Sequence, residues 1–332
     1  MDQESITKGI LSGIVDRYIR EISQDPQRSI RKLVDMAERT SDGPTQKICY
    51  QMMQQMAADQ SSPYYEMIHH LVTHTDSLTI KTFGINLGHN AWTFAPGSIR
   101  RFITENGTSI SWAVVIDRYG CKERVPFSVV RDLVNRGRRH EVYAWLLKTS
   151  SPLEEWDEYV RLFREHDDSV FSLIADAGSL DDQLLEEAAG IHNLMILLNT
   201  DTDGWQLCAE RLSEKRLLYS ACRFISEDAQ AEEVLSGSWL EELVPYHPLM
   251  AFSITADSLP RETAQSLKDY LWNTRLEQVY PVLPVDLVSD FVIINRLAAH
   301  RDILYRFDAD GSISEARDLQ FSKCSPTHGD IF

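Results

Sequence analysis

Three features predict an α/β protein: a partial or complete (β/α) TIM-like barrel with an all-α N-terminal domain and a C-terminal β-hairpin. Apolar positions keep helical spacing through the first 80 or so of 332 residues. From Ser111 onward short apolar runs alternate with amphipathic stretches, and further on a hairpin pattern surrounds Asp310-Gly311. The corresponding boundaries are 1–108 for the helical domain, 109–300 for the barrel and 301–332 for the hairpin and tail.

In the helical domain, Ile10, Leu11, Ile14, Val15, Tyr18 and Ile19 recur on one helical face. Asp25-Pro26, Ser41-Asp42-Gly43-Pro44 and Ser61-Ser62-Pro63 break the stretch into about four helices, because each supplies a cap or a residue that cannot continue the preceding turn. Residues 83–102, FGINLGHNAWTFAPGSIRRF, are richer in glycine, aromatics and asparagine and lead into the barrel.

The apolar runs of the barrel are SWAVVID (111–117), EVYAWLLK (141–148), SVFSLIAD (169–176), NLMILLN (193–199), LYSACRFIS (218–226), HPLMAFSIT (247–255) and VSDFVIIN (288–295). Runs apolar on successive residues imply strands covered on both faces, and the helical segments between them, such as FSVVRDLVNRGR and LEEWDEYVRLFREH, imply parallel pairing through crossovers. ILYRFDADGSISEARDL reads as a hairpin turning at Asp310-Gly311.

Composition narrows the function classes. Fifty acids against 33 bases leave a formal charge of -17, which repels a phosphate backbone or an anionic membrane surface, so nucleic acid and membrane are not expected partners. No apolar run reaches membrane-spanning length, and the first residues carry acids where a secretory signal carries bases; the expected location is cytoplasmic. The five cysteines, Cys49, Cys121, Cys208, Cys222 and Cys324, are too scattered for a disulfide framework.

Several stretches, in order, resemble one family. SPYYEMIHHLVTHTDSLTIKTFGINLGHNAW (62–92), SWAVVID, EVYAWLLKTSSPLEEW, SLIADAGSLDDQLLEEAAGI and ILYRFDADGSISEA are similar to the radical S-adenosylmethionine (SAM) superfamily, in the branch with a helical N-terminal extension and a SPASM-like C-terminal segment. The resemblance runs from about residue 60 to 325. It implies a [4Fe-4S] cluster held by three cysteines in the loop after the first strand, a Gly-Gly-Glu-Pro loop after the second that approaches SAM, and an auxiliary-cluster cysteine in the hairpin.

The sequence departs from that pattern at all three places. The first loop, DRYGCKERVPF, has only Cys121, and Asp117, Arg118 and Glu123 are no substitute for soft iron–sulfur ligands. Thr149-Ser150-Ser151 replaces the glycines and acid of the second loop, and Ala316 stands where the hairpin cysteine belongs. The resemblance therefore implies a cluster-free pseudoenzyme: a non-catalytic partner, substrate-presenting or regulatory subunit of an active radical SAM enzyme, or a homodimer, with no cofactor. The alternative is a repurposed enzyme that binds SAM or another small polar ligand at the barrel mouth without iron. A third reading has a partner chain donate cluster ligands in trans.

Parallel barrels gather ligand groups at the C-terminal ends of their strands, which here carry Asp117, Lys148, Asp176, Asn199 and Asp257. These residues are the candidate ligand site, against the plainer reading of the acids as helix caps. Lys148 has no capping role and either reaches solvent or pairs with Asp117 or Asp176. No metal site is expected; His70 and His74, four apart on one helical face, offer two ligands only if a third comes from elsewhere, the alternative being helix packing. His89 and Asn90 read as interdomain or capping groups or as groups facing a cavity. Arg131, Arg136, Arg138 and Arg139 form either a solvated helix end or a docking patch for an acidic partner.

Overall fold

The computed structural model describes residues 3–40, 50–51, 53–107, 110–118, 125–150, 152–256, 258–300, 304–307, 313–317 and 320–321. Helices α1 (Gln3–Gln24), α2 (Pro26–Thr40), α3 (Tyr64–His74) and α4 (Ser77–Ile85) come first. Ser41-Asp42-Gly43-Pro44 lies outside the described residues, Pro63 immediately precedes α3, and the break at Asp25-Pro26 behaves as its chemistry dictates. Asp25 accepts the Arg28 amide at 3.2 Å while Pro26 takes the first helical position, where no amide proton is needed. Asp76 caps α4 by accepting the Thr79 amide at 2.8 Å. Ile22, Ile30, Ala57, Tyr65 and Val72 form a small core of their own among these helices.

The glycine- and asparagine-rich approach is helical too. Residues Asn86–Phe94 wind as a π-helix, followed by α5 (Ala95–Asn106), which ends at Gly107 with a left-handed φ of 71°. The wider turn places Asn86 and Asn90 together, and their amides donate to the carbonyls of Asp167 (2.7 Å) and Asp168 (2.8 Å). Asn90 thus ties the π-helix to the turn before β3, and residues Ala91, Ala95, Ile99 and Ile103 join the main core.

The barrel alternates strand and helix: β1 (Ala113–Asp117), α6 (Phe127–Arg139), β2 (Ala144–Lys148), α7 (Trp156–Glu165), β3 (Val170–Asp176), α8 (Asp182–Ala188), β4 (Leu194–Asn199), α9 (Trp205–Glu214) and β5 (Tyr219–Ile225). Then come α10 (Asp228–Leu235), α11 (Ser238–Leu243), β6 (Met250–Thr255), α12 (Arg261–Glu277), β7 (Leu283–Asp286) and α13 (Leu287–Ala299). β8 (Leu304–Phe307), β9 (Ile313–Arg317) and β10 (Gln320–Phe321) complete the sheet.

Strands β1 to β7 are parallel neighbours in chain order, and the sheet continues past β1 through β8, β9 and β10. β8 runs parallel to β1, whereas β9 pairs antiparallel with β8, in the register Leu304↔Ala316 to Phe307↔Ile313. That is the expected hairpin; its turn at Asp310-Gly311 lies outside the described residues. β7 and β10 are the two outer strands, so the sheet is an open half-barrel with helices outside, the partial form of the two considered.

One expected strand is a helix. Residues 288–295 belong to α13, and the seventh strand is the four-residue Leu283–Asp286 before it. The apolar run is real, but its buried residues, Val288, Val292, Asn295 and Ala299, repeat every three or four positions, which is a helical face and not a two-sided strand. Asp286 caps the helix by accepting the Ser289 amide at 2.8 Å. Asn295 then ties α13 to the start of the sheet by accepting the Trp112 amide at 2.9 Å.

Burial explains the order of the rest. The first four residues of β1 and β2 and all six of β4 are buried, because helices cover one sheet face and the barrel interior the other. On α6 the buried set is Phe127, Val130, Leu133, Val134 and Gly137, one helical stripe against the sheet. Truncating a fully buried leucine such as Leu133 or Leu147 costs about 2–5 kcal/mol.

Candidate functional site

Side chains alternate along a strand, so Val115 and Asp117 on β1 and Leu146 and Lys148 on β2 face the same side of the sheet. They line a cavity of about 210 Å³ at the C-terminal ends of the strands. Ile174, Phe224, Ile254 and Leu287 supply the other apolar walls, with Thr255 and Ala256 at the end of β6. The register Asp117↔Lys148 puts the two charged residues directly opposite, with Lys148 Nζ 3.1 Å from Asp117 Oδ2. The same ammonium lies 5.1 Å from the centroid of the Phe224 ring, a cation–π distance. The pair borders the cavity, with the carboxylate side chain 14% and the lysine 35% exposed. Thr255 is buried and its hydroxyl has no hydrogen-bond partner.

The other strand-end residues are placed differently. Asp176 and Asn199 are also register partners, and the Asn199 amide donates to Asp176 Oδ1 at 2.8 Å. They pair with each other beside the cavity wall without lining it. Asp257 lies outside the described residues, as do Cys121 and Ser151. Thr149 donates its hydroxyl to the Ile174 carbonyl at 2.8 Å, and Ser150 donates to the Pro152 carbonyl at 2.6 Å. The two described hydroxyls of the second loop therefore serve the backbone. Ala316 sits in β9, opposite Leu304 and Phe321.

Arg118, the residue after β1, is fully buried. Its guanidinium donates twice to the Val125 carbonyl, at 3.1 Å each, and once to the Tyr159 hydroxyl at 2.9 Å. It also forms an ion pair with Glu155 at 2.6 Å and lies 5.0 Å from the centroid of Phe127. The Val125 amide in turn donates to the Arg118 carbonyl at 3.2 Å, so the two ends of the loop 119–124 are clamped together. Sequence reasoning missed this role, along with Phe224 and Thr255 as cavity walls. The signal for the latter two was their position at the ends of apolar runs; for Arg118 no local signal exists, because Glu155 and Tyr159 lie some 40 residues on and its nearer partner, Val125, is a backbone carbonyl.

The histidine pair is a packing element. The rings of His70 and His74 stack at 4.0 Å, and His247, from the turn before β6, stacks on the other face of His70 at 4.1 Å. Face-to-face rings do not converge on a common point, and among the described residues no group of three or more His, Cys, Asp or Glu side chains is arranged to hold a metal ion. Burial first, and then the neighbouring histidines, push the His70 imidazole down to about 4. The arginine cluster is largely consumed internally: Arg131 pairs with Glu158 (2.7 Å), Arg136 with Asp132 (3.1 Å) and Arg138 with Asp168 (2.5 Å). Among the described residues no helix is long and apolar enough to cross a membrane.

No protein-family model and no curated protein sequence matches the chain. Similar solved structures include SuiB of Streptococcus suis bound to S-adenosylmethionine, at 8% identity and TM-score 0.47, covering 66% of this chain and 66% of that one. A second SuiB crystal structure is 10% identical over 64% of this chain and 62% of that one, with TM-score 0.47. SuiB bound to the precursor peptide SuiA is 8% identical over 70% and 69%, with TM-score 0.48. The chain thus spans just under two thirds of the first two. Likeness of this degree carries no inference about chemistry, and the half-barrel rests on its own strand register.

Proposed function

We propose that this chain is a radical-SAM-like half-barrel without an iron–sulfur cluster, which serves a protein partner as a non-catalytic presenting or regulatory subunit. One observation carries the reading: of the polar side chains described at the strand ends, Asp117, Lys148, Asp176, Asn199, Thr149 and Ser150 are engaged with one another or with the backbone, and the hydroxyl of the buried Thr255 is neither a base nor hydrogen-bonded to one. Lys148 pairs with Asp117, Asn199 with Asp176, and Thr149 and Ser150 with carbonyl oxygens. A catalytic constellation needs a nucleophile or base aimed at a reacting atom. Here Lys148 and Asp117 neutralise each other, while Asp176, Thr149 and Ser150 are held by hydrogen bonds to Asn199 and the backbone.

The donor set supports the same reading. A four-iron cluster takes soft thiolates, three of them in one loop for this superfamily. The loop after β1 contains one cysteine in sequence. Cys208 and Cys222 lie buried in the core, where burial pushes the Cys208 thiol up to about 11 and the Cys222 thiol well above its ordinary value, so neither is poised as a thiolate ligand. Among the described residues no set of thiolates fits the cluster. The cavity, at about 210 Å³, is also below the roughly 300 Å³ at which pockets begin to enclose drug-sized ligands.

Titration calorimetry with SAM tests the proposal: it expects no saturable heat, and a stoichiometric, saturable heat contradicts it. The cavity itself favours a second reading, that the mouth retains a ligand-binding role for something smaller.

A further inference from the structure

We propose that the cavity at the ends of β1, β2, β5 and β6 binds a free α-amino acid with an apolar side chain. The inference rests on the reading that this mouth binds without catalysing. Its walls combine one carboxylate and one ammonium, held 3.1 Å apart, with a mainly apolar surface that includes Val115, Leu146, Ile174 and Ile254 and one hydroxyl, that of Thr255.

Charge decides the class of ligand. Asp117 and Lys148, the two charged residues of the lining, offset each other, so a ligand of either net charge adds an unbalanced charge beside largely apolar walls, where part of its hydration is lost. A zwitterion avoids this. Its carboxylate meets the remaining Lys148 donors and its ammonium meets Asp117, which closes a ring of four alternating charges and leaves the cavity neutral. An α-amino acid carries both groups on one carbon, which matches the close spacing of the protein pair. The third substituent on that carbon then faces the aliphatic walls and the Phe224 ring, where burying apolar surface is favourable. The volume suits a single residue.

Isothermal titration of the full chain with L-leucine, 4-methylpentanoate, 3-methylbutylamine and SAM separates the outcomes. Saturable binding of L-leucine is expected, with the two singly charged analogues at least about tenfold weaker, a difference of about 1.4 kcal/mol. Lys148→Met and Asp117→Asn each weaken L-leucine by about tenfold or more, with circular dichroism confirming that the variants fold. The analogue series on the unmodified chain decides the matter if they do not. Absence of saturable L-leucine binding at millimolar concentration, or equal binding of the analogues, overturns this inference and leaves the non-catalytic reading standing; saturable SAM binding overturns that reading instead.

Discussion

Replacing Arg118 by methionine removes the cation that closes the first barrel loop while keeping much of its length. The loss has three parts. The Val125 carbonyl loses two charged donors at 3.1 Å, worth about 1.5–3 kcal/mol. The Tyr159 hydroxyl loses its 2.9 Å contact, worth about 1 kcal/mol. Glu155 keeps a side chain 31% exposed, so water re-solvates it and its share is at most about 1 kcal/mol. Together these predict a destabilisation of about 2.5–5 kcal/mol, close to the range for breaking one side of a buried ion pair. Urea unfolding at neutral pH, followed by tryptophan fluorescence and far-UV circular dichroism with coincident transitions, measures it. Glu155→Gln costs about 1 kcal/mol by the same assay. A loss below about 1 kcal/mol for Arg118→Met would show that the loop is held by something other than this guanidinium.

Three further outcomes follow from the same contacts. His70, neutral in the fold with its imidazole pushed down to about 4 against 6.5 unfolded, supplies stability that is complete above pH 6.5 and is lost as pH falls toward 4. Its ring is only partly buried, so solvent screening reduces the effect to on the order of 1 kcal/mol; His70→Phe keeps the stack and flattens that part of the pH profile. Asp286 has the opposite sign: burial raises its carboxyl to about 6, so its contribution is complete below pH 3.8 and is lost as pH rises through 6. Asp286→Asn, which retains a capping side chain, is therefore more favourable at pH 7.5 than at pH 4 by up to about 3 kcal/mol, and an equal effect at both pH values contradicts the assignment. Asn90→Ala deletes the donor to the Asp168 carbonyl and lowers stability by about 1–3 kcal/mol, with faster amide exchange expected at the turn before β3.

Much of the barrel was legible because a parallel strand buried on two faces leaves an unmistakable run of apolar residues, as NLMILLN does at β4. The same rule misled at VSDFVIIN, where run length outweighed the three-to-four-residue spacing of Val288, Val292 and Asn295, and where Asp286 and Ser289 already spelled a helix cap. At the mouth, Asp117 and Lys148 could be anticipated from their strand-end positions, since register alone brings them opposite. Arg118 could not. Whether an arginine after a strand reaches solvent or is buried depends on Tyr159 and Glu155, residues that no local pattern connects to it. His247 was invisible for the same reason, as its stacking on His70 joins segments far apart in the chain.

The account turns on soft ligands, and iron is their most direct probe. Anaerobic reconstitution of the full chain with ferrous iron and sulfide, followed by desalting and metal analysis, is expected to leave well under one iron per chain and no visible chromophore. About four tightly bound irons per chain, with matching acid-labile sulfide, would contradict it.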